Sequence, residues 1–571
     1  MATTPFALAC GGGAAGVRPA TGVSENATPP SASSTTPDPT RATTATATPE
    51  PRPRGGVARL AAGRSFAFDT LAPHLSGESS TLEVLGRTHS RLVQWADFTS
   101  GEFAPDLGAN WEQPDRRTLI VRIDPRARWH PRPGGDAPVS ATEVAGWLDA
   151  VVRRAKVGSA GTPLIQRSQD WQTVESVAAV APDLVRVRLA RSDPFILQTL
   201  AGRFALVQRP GFLERPAKEF ASAESVVGSG PFMLDALGPT LRFSAHTGGH
   251  RAPLLDRLDV SEPTDVADRF GSGELDEATL HDRREAPALR SAHGATLREF
   301  PRYEDAPIVS TLWAANPPWN DARLRRALSA ALNRVVLADK LFGGRAEATA
   351  PIAPVHLAAA RAGRALDRFD GYRADAEADA REARSLWEAG GGPGLGKVTV
   401  DIPAIFEPAY SASSVIVGRL NDVLGKQFAG AVETYTTISK KAVEGRYGNG
   451  TPAFWFGWGP PFAEPDPSRW LVETYGANSG RSGVQSGAVK VAALRLGRAY
   501  EPAERFAAAR ELEAALLQEA DGGILHWVAQ RHELVRWAYL ERPVQASGWW
   551  PQHLDAELAL DPSAPGYAGR A

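Results

Sequence analysis

Cysteine is nearly absent from this 571-residue sequence: Cys10 is the only one, so no disulfide bond can form within the chain. Long apolar runs are missing as well. No stretch reaches the roughly 18 consecutive apolar residues that a membrane-spanning helix needs. The formal net charge is only -2, which argues against a large basic face for binding nucleic acid.

Motifs of catalysis are also missing. Neither H-E-x-x-H nor G-x-S-x-G occurs. The segment 391–397, GGPGLGK, has P-loop spacing, but Val398 stands where a P-loop needs Ser or Thr for magnesium. His246 and His250 are four residues apart, yet the Thr-Gly-Gly spacer between them predicts a loop rather than one helix face. We therefore expect no enzymatic activity, no metal and no cofactor.

The first 56 residues differ in composition from the rest. Residues 6–11, FALACG, look like the end of a bacterial lipoprotein signal, which makes Cys10 the candidate for lipidation. From Gly11 to Gly56 the chain is rich in Thr, Pro, Ala, Ser and Gly. Such a composition cannot bury enough apolar surface to offset the entropy of ordering. We expect residues 1–56 to be a signal remnant followed by a disordered tether.

Residues 102–154 contain clear local signals of strands and a helix. Pro114 to Arg117 is turn chemistry, and the β-rich segment 118–123 follows it. Ser140 and Glu143 form S-x-x-E, a capping box at a helix start. The helix that follows has one apolar face, formed by Val144, Trp147, Leu148, Val151 and Val152.

Further along, strand and helix patterns alternate. We predict a helix over 81–93, a strand pair over 171–189, a helix over 411–428, and a strand over 454–459 that runs into a loop. Asn320 or Asp321 is expected to cap a helix. Its buried stripe is predicted to comprise Leu324, Leu328, Ala331 and Val335. Alternation of the two types throughout predicts an α/β class, and the length predicts two or three domains.

The order of these elements resembles the extracytoplasmic solute-binding proteins of the dipeptide/oligopeptide-binding family, family 5. One matching region holds Pro105-Asp106-Leu107, Trp111, Thr118, Trp129-His130, Pro138 and residues 141–144. A second is 227–234, VGSGPFML, where the family has V-G-T-G-P-Y-K-L. A third is 316–326, NPPWNDARLRR, which is similar to P-P-F-D-D-x-R-V-R. The resemblance covers about residues 57–560.

This resemblance implies a two-lobed fold of the type II periplasmic-binding-protein kind, with an extra α/β domain inserted in the first lobe. The expected segments are 57–78 (lobe I), 79–205 (extra domain), 206–303 (lobe I), 304–525 (lobe II) and 526–571 (lobe I and the C-terminal tail). Trp129 and His130 match a family signature within the extra domain and are expected to be structural.

The best functional stretch is 454–470, FWFGWGPPFAEPDPSRW, which resembles G-W-x-A-D-Y-P-D-P of the peptide-binding members. There the Trp lines the ligand cleft and the Asp pairs with the amino terminus of the peptide; here Pro461 stands at the Asp. Only a shift of the loop would let Glu464 or Asp466 replace it. Strict strand alternation puts Trp455 and Trp458 on opposite faces unless Gly457 breaks the pleat. The candidate ligand-binding residues are Trp458, Trp455, Gly459, Phe462, Trp527, Gln530, Trp549 and Trp550.

The resemblance implies a lipid-anchored, extracytoplasmic, monomeric protein that captures a solute, with a peptide as the first candidate, and delivers it to an ABC import permease. One alternative is a sensor or envelope interaction protein on the same scaffold. Another is a binder of a non-peptide solute such as a sugar or a metal chelate. An enzyme on this scaffold is the third alternative, and the missing nucleophile and metal motifs speak against it.

Overall fold

The structure is a computed structural model, which describes most of residues 52–569. The positions within this range that it leaves undescribed are 64, 69, 77–78, 98–99, 133–135, 157–166, 213–214, 283, 305, 405–412, 435–436, 439, 442–443, 445, 448–449, 460–463, 477–485, 519, 521–522 and 543–551. Cys10, Phe462, Trp549 and Trp550 therefore lie outside the described residues.

Strands and helices alternate along the chain, which confirms the predicted α/β class. The strands are β1 (Val57–Ala61), β2 (Val93–Trp95), β3 (Phe103–Pro105), β4 (Gly108–Asp115), β5 (Thr118–Ile123), β6 (Val174–Ala181), β7 (Leu184–Leu189), β8 (Phe232–Ala236), β9 (Thr240–Ala245), β10 (Arg257–Ser261), β11 (Glu277–Leu280), β12 (Leu297–Tyr303), β13 (Ile308–Thr311), β14 (Ala346–Ala348), β15 (Val398–Pro403), β16 (Phe428–Glu433), β17 (Ala453–Trp458), β18 (Ile524–His526), β19 (Val528–Trp537), β20 (Leu540–Glu541) and β21 (Ala559–Leu560).

The helices lie mainly between these strands. They are α1 (Ser79–Thr88), α2 (Ala141–Lys156), α3 (Ile196–Ala201), α4 (Val266–Gly271), α5 (Glu285–His293), α6 (Ala322–Leu332), α7 (Arg334–Phe342), α8 (Ala358–Arg361), α9 (Ala376–Ala389), α10 (Ser413–Leu424), α11 (Ser468–Tyr475), α12 (Gly487–Leu496) and α13 (Pro502–Gln518). Among the described residues, no helix has the length and apolarity to cross a membrane.

Two large sheets organise the molecule. The first has the order β12-β19-β11-β1-β10-β9-β8, and β14 also pairs with β19. In it β1 runs parallel to β10 and β11, whereas the other pairs are antiparallel. The second sheet has the order β16-β15-β17-β13-β18, with β15 parallel to both of its neighbours. Strands far apart in sequence are thus neighbours in both sheets.

A third sheet, β4-β5-β7-β6, lies entirely within residues 108–189. Helix α2 packs on it and begins with the predicted capping box. The hydroxyl of Ser140 accepts from the backbone N–H of Glu143 at 3.2 Å, and the Glu143 carboxylate accepts from the Ser140 N–H at 3.1 Å. The predicted apolar face of α2 is buried throughout. This confirms the local prediction for the helix start.

The buried apolar residues separate into distinct clusters. One continuous cluster joins the first sheet to the 108–189 sheet, with members between Ala58 and Leu289 and between Val535 and Leu560. Two others contain only residues between Ile308 and Val528. We call the part built on the first cluster the large lobe and the part built on the other two the small lobe. The predicted segment boundaries themselves remain a prediction.

The helix predicted after Asn320 is in fact two helices. Asp321 caps α6, because its carboxylate accepts from the N–H of Arg323 at 2.8 Å, as predicted. Leu324, Leu328 and Ala331 are buried, but Val335 is 49% exposed. The reason is Asn333, whose side chain caps α7 by accepting from two backbone N–H groups at 3.0 and 3.1 Å. The chain therefore turns before Val335 reaches the predicted stripe.

Two other predicted helices end earlier than expected. Helix α1 ends at Thr88, and Val93 already belongs to strand β2. Helix α10 ends at Leu424, and Phe428 begins strand β16. In both cases, apolar residues that would continue a helical stripe are buried in a strand instead.

Candidate functional site

The chain crosses between the two lobes at two neighbouring points. Residues 304–307 join β12 of the first sheet to β13 of the second, and Trp527 alone joins β18 to β19. Because β11 is antiparallel to β19 and β1 is parallel to β11, the carboxyl ends of β1 and β11 point toward this crossing. In the second sheet, β13 begins at the crossing, β17 is antiparallel to β13, and β15 is parallel to β17. The carboxyl ends of β15 and β17 therefore point toward the crossing from the side of the small lobe. Ligands of α/β proteins bind outside such carboxyl ends.

The predicted aromatic stretch leads directly into this crossing. Trp458 is the last residue of β17 and lies opposite Ile308 in the register; its side chain is outside the described structure. The next residue, Gly459, donates its N–H to the carbonyl of Pro307 at 2.8 Å. A Cβ on Gly459 would lie 2.7 Å from a methyl group of Val309, so the close approach of the two segments requires glycine here.

Trp455 lies on the opposite face of β17 from the buried Phe454 and Phe456, as strand alternation requires. It is half-buried and packs against a small cluster that contains Ile438 and Tyr447. Its neighbour in the register is Asp401 of β15. Trp455 therefore shares its face of the small-lobe sheet with a charged group.

That charged group was missed at the sequence level. The carboxylate of Asp401 accepts from the ammonium of Lys441 at 3.0 and 3.1 Å and from the hydroxyl of Tyr447 at 2.9 Å. Lys441 also binds Glu433 at 3.1 Å. Burial raises the pKa of Tyr447 well above its usual range, and the negative charge of Asp401 raises it further. The signal was a single Asp within the apolar strand VTVDIP of β15, where a buried carboxylate needs partners.

Trp527 is a core residue at the crossing. It is fully buried, its ring lies against that of Phe456 with centroids 6.2 Å apart, and its indole N–H donates to the Ser310 hydroxyl at 2.9 Å. The guanidinium of Arg334 lies 4.6 Å from the ring centroid. The structure thus gives no support to the predicted solute contact at Trp527, because its indole already packs among small-lobe residues.

Gln530 lies just beyond the crossing, on β19. Its side chain is half-buried, and its backbone carbonyl accepts from the N–H of Glu304 at 2.8 Å. Two residues on, His532 binds the Glu304 carboxylate at 3.0 Å, and its ring lies 4.4 Å from that of His281. Burial, reinforced by His532, lowers the pKa of His281 to about 4, so His281 is neutral at pH 7. This polar group was also missed, although His281 directly follows strand β11.

The loop after β17 contains the two carboxylates that were considered as replacements for the missing Asp. Glu464 forms an ion pair with Arg469. Asp466 accepts from the Gln198 amide and from the Arg505 guanidinium, each at 2.8 Å. Both carboxylates are buried. In this arrangement neither is available to pair with an ammonium group from outside the protein.

The positions whose spacing resembles a metal site or a P-loop have other structures and partners. Among the described residues, no group of three or more His, Cys, Asp or Glu side chains is arranged to hold a metal ion. His250 binds Asp106 at 3.0 Å, and His246 lies 3.2 Å from the Gly230 carbonyl. The segment Gly392–Leu395 is a 3-10 turn between α9 and β15, which is the wrong order for a P-loop.

A family comparison matches most of the chain. The sequence model of the bacterial extracellular solute-binding proteins, family 5 (middle region), matches residues 102–480. This range covers the sheet at 108–189, the crossing at 304–307 and strand β17.

Two curated proteins of Escherichia coli K12 are similar over part of their length. The probable deoxycholate-binding periplasmic protein YgiS is 24% identical over 305 residues, which is 49% of this chain and 54% of YgiS. The probable ABC transporter periplasmic-binding protein SapA is 27% identical over 207 residues, 35% of this chain and 38% of SapA. The matched region thus spans about half or less of these relatives.

Solved structures share the fold at low sequence identity. The ABC transporter-associated periplasmic binding protein DppA of Helicobacter pylori, in complex with the peptide STSA, is 17% identical with a TM-score of 0.69, and the match covers 89% of this chain and 99% of that one. The binding protein AgaA of A. tumefacien R10, in complex with agropinic acid, is 15% identical with a TM-score of 0.66, covering 89% and 99%. The oligopeptide-binding protein AppA of Bacillus subtilis, in complex with a nonapeptide, is 12% identical with a TM-score of 0.67, covering 89% and 100%.

Proposed function

The chain belongs to the bacterial extracellular solute-binding proteins of family 5, and we propose that it captures a solute between its two lobes and delivers it to an ABC import permease. The observation that carries this proposal is the arrangement of the crossing. Each lobe has its own apolar core, and the carboxyl ends of β1, β11, β15 and β17 face the two connections between the lobes. This is where an α/β fold of two lobes offers a closing site for a small molecule.

The proposed mechanism is closure without chemistry. Two short connections allow the lobes to hinge, and such motions occur on the microsecond-to-millisecond scale. A solute that makes contacts only in the closed form shifts the population toward it. The permease then recognises the closed form. An enzymatic activity is not part of this proposal, since the mechanism needs no nucleophile or metal.

A peptide is the first candidate for the solute. Gly457 and Trp458 keep the aromatic stretch that resembles the peptide-binding members, and aromatic walls tolerate varied side chains. Two relatives of similar fold were solved with peptides. We propose that Trp458, Trp455, Gly459, Phe462 and Gln530 line this site, with Trp549 and Trp550 contributing from the C-terminal segment.

A specific observation favours a non-peptide solute as the second candidate. Pro461 replaces the Asp that pairs with a peptide amino terminus, and both nearby carboxylates, Glu464 and Asp466, are held by arginines. The relatives include proteins named for deoxycholate and solved with agropinic acid, which are not peptides. Since neither carboxylate is free to pair with an α-ammonium group, the second candidate is a solute that lacks such a group.

The remaining parts of the proposal concern location and assembly. We propose that Cys10 is lipidated, that the protein stays at the outer face of a membrane through this anchor, and that it acts as a monomer. Support comes from the lipoprotein-like segment 6–11 and from the family, whose members are extracellular. Mass spectrometry of the intact protein from its host tests the anchor. Lipidation of Cys10 adds the mass of a diacylglycerol, and the cleavage that accompanies it removes residues 1–9.

Native mass spectrometry of the full chain purified from its host tests the central proposal. After denaturation, the released material is identified, and the same protein that has been unfolded and refolded serves as the solute-free control. A mixture of peptides supports the peptide candidate, whereas a single non-peptide compound supports the second. If neither is found and no solute shifts the melting temperature in a screen, the result contradicts solute capture and favours an envelope interaction protein on the same scaffold.

Uptake in the host tests the delivery step. Deleting the gene is expected to abolish uptake of the identified solute, and restoring the gene is expected to return it. If uptake persists at its normal rate in the deletion strain, while the purified protein still binds the solute, import is not the function.

A further inference from the structure

Away from the crossing, charged and polar groups of the two lobes contact each other. The large lobe and the small lobe have separate apolar clusters, as described above. Between them, residues 167–199 of the large lobe contact the segment 464–473 of the small lobe through ion pairs and hydrogen bonds. A polar contact of this kind can open without exposing apolar surface to water.

Five charged residues form the centre of this contact: Arg167 and Asp170 from the large lobe, and Glu464, Arg469 and Glu473 from the small lobe. Two ion pairs cross between the lobes: Arg469 lies 3.1 Å from Asp170, and Arg167 lies 2.6 Å from Glu473. The side chains of Asp170, Glu464 and Arg469 are 5–7% exposed. The Arg469–Asp170 pair is therefore shielded from water in this arrangement, whereas the side chains of Arg167 and Glu473 are 20% and 23% exposed.

Two hydrogen bonds, each between one charged and one uncharged side chain, flank the same contact. The Gln198 amide donates to the Asp466 carboxylate at 2.8 Å, and the Arg469 guanidinium donates to the Thr199 hydroxyl at 3.3 Å. Asp466 also binds Arg505 within the small lobe at 2.8 Å. Helix α3 and the 3-10 turn Ser168–Trp171 present the large-lobe partners, so two separate elements hold the small lobe.

Within each lobe, oppositely charged residues of this contact also pair with one another. Arg167 binds Asp170 at 3.0 Å within the large lobe, and Arg469 binds Glu464 within the small lobe. If the lobes separate, Asp170 keeps Arg167 as a neighbour, and Arg469 keeps both Glu464 and Glu473. Opening therefore leaves no unpaired buried charge, which is the state that would be most unfavourable.

We propose that Arg167, Asp170, Glu464, Arg469 and Glu473 form an ion latch that assembles when the lobes close. When the lobes open, it separates into the Arg167–Asp170 pair and a group in which Arg469 keeps both Glu464 and Glu473. The latch rests on the proposed function only in assuming that the lobes open and close. It lowers the free energy of the closed form through contacts between the lobes. It therefore sets how much of the protein is closed before any solute binds, and hence the apparent affinity for the solute.

The charges of the latch imply a proton linkage. The latch contains three carboxylates and two guanidiniums, so it has one excess negative charge when all are ionised. Burial raises the pKa of Glu464 to about 7; the pairing with Arg469 opposes this rise, and the nearby Glu473 and Asp170 add to it. Arg167 and the adjacent Asp466–Arg505 pair complete the charged surroundings.

The sign of the pH effect follows from this raised pKa. In the open form Glu464 is more hydrated, so its pKa returns toward the ordinary value of 4.5. Between these two values the closed form holds a proton that the open form has lost. Closure is therefore favoured fully below about pH 4.5 and loses this contribution as the pH rises through about 7.

The latch can be tested on the full chain without a solute. Spin labels at Ala179→Cys in the large lobe and Ala488→Cys in the small lobe, in a Cys10→Ser background, report the ratio of closed to open forms; both alanines are exposed. Arg167→Gln and Glu473→Gln are each expected to lower this ratio about fivefold. The double variant is expected to lower it no further, because either substitution already breaks the same pair. Ratios that multiply, or that stay unchanged in the single variants, overturn the latch.

A matched control separates the latch from general effects of buried carboxylates. Glu513 has a pKa that burial raises to about 7, as for Glu464, but its partners Arg364 and Ile352 belong to the small lobe. Between pH 5 and pH 7 the closed-to-open ratio is expected to fall in the parent and in Glu513→Gln, and to stay constant in Glu464→Gln. If Glu464→Gln keeps the pH dependence, or Glu513→Gln loses it, the assignment to Glu464 is wrong.

These readouts do not depend on solute identity. If the protein opens and closes as described but no solute is recovered from it, the latch is supported and the proposed function is contradicted. If the protein binds a solute but shows one label distance at every pH and in every variant, the proposed function is supported and the latch is contradicted. Circular dichroism of each variant checks that the fold is intact.

Discussion

The indole N–H of Trp527 donates to the hydroxyl of Ser310 at 2.9 Å, and Trp527 is the single residue between strands of two different sheets. The same ring is contacted by the guanidinium of Arg334. Both Trp527 and Ser310 are fully buried. This pair therefore fixes the small-lobe side of one of the two connections between the lobes.

Trp527→Phe is expected to lower the free energy of unfolding by about 1–3 kcal/mol, because it leaves the buried Ser310 hydroxyl without its donor. Adding Ser310→Ala is expected to recover part of this loss, since both polar partners are then gone. Urea denaturation measures these differences. Trp455→Phe, at a half-buried position, is the control and is expected to change stability less. A Trp527→Phe protein of unchanged stability but weakened solute binding would restore the predicted solute contact.

The start of the folded part can be located by truncation. We expect removal of residues 1–51 to leave the melting temperature unchanged, because that segment has too few apolar residues to contribute to a core. Removal of residues 1–56, the predicted tether, is expected to lower it. The reason is that Gly55 donates to the Leu254 carbonyl at 2.7 Å and Gly56 donates to the Asp256 carboxylate at 2.9 Å.

Differential scanning calorimetry of the two truncated proteins beside the full chain checks this. The difference of five residues between the truncations is the internal control. Equal melting temperatures for both would show that Gly55 and Gly56 contribute nothing, and that the predicted boundary at residue 56 is adequate.

Local signals predicted local structure well. The capping box of Ser140 and Glu143 and the cap at Asp321 depend on residues within three positions of one another, so the sequence contains the whole interaction. The exposed position of Val335 was not predicted, because the apolar spacing continues past Asn333 while the backbone does not. The side-chain cap at Asn333 starts a new helix there, so the periodic pattern of α6 does not continue to Val335.

The site was harder to predict because its parts are far apart in sequence. The contact of Gly459 with Pro307 and the pair of Glu304 with His532 join segments more than 150 residues apart. The two partners of Asp401, Lys441 and Tyr447, lie 40 and 46 positions away. The resemblance to a family identified the aromatic stretch, but no periodicity in the sequence indicates which distant segments cover it.

Stability is expected to depend on pH through Glu513. Burial raises its pKa to about 7 from the ordinary 4.5, so the folded protein holds a proton there that the unfolded chain loses. This contribution is complete below about pH 4.5 and is lost as the pH rises through about 7. Glu513→Gln is therefore expected to flatten the fall in melting temperature over this range. Glu511→Gln, at an exposed ion pair with Arg495, is the control and is expected to leave the pH profile as it is. An unchanged profile in Glu513→Gln would mean that Arg364 keeps Glu513 ionised in the folded protein.

The last prediction concerns the aromatic residue at the end of β17. Trp458→Ala is expected to weaken solute binding by more than about 1 kcal/mol, as truncation of a stacking aromatic in a desolvated pocket does. Calorimetric titration with the solute recovered from the host measures the change. Trp387→Phe is the control, because Trp387 is fully buried against Phe428 in the small-lobe core and far from the crossing in the sheet order. Unchanged affinity in Trp458→Ala, together with lost stability, would place Trp458 in the packing of the lobe.

The solute would then be held by the other face of β17, where Trp455 lies beside Asp401 and Lys441. A charged group of the solute would then be expected to compete with that ion pair, so solute affinity would depend on salt in the Trp458→Ala protein.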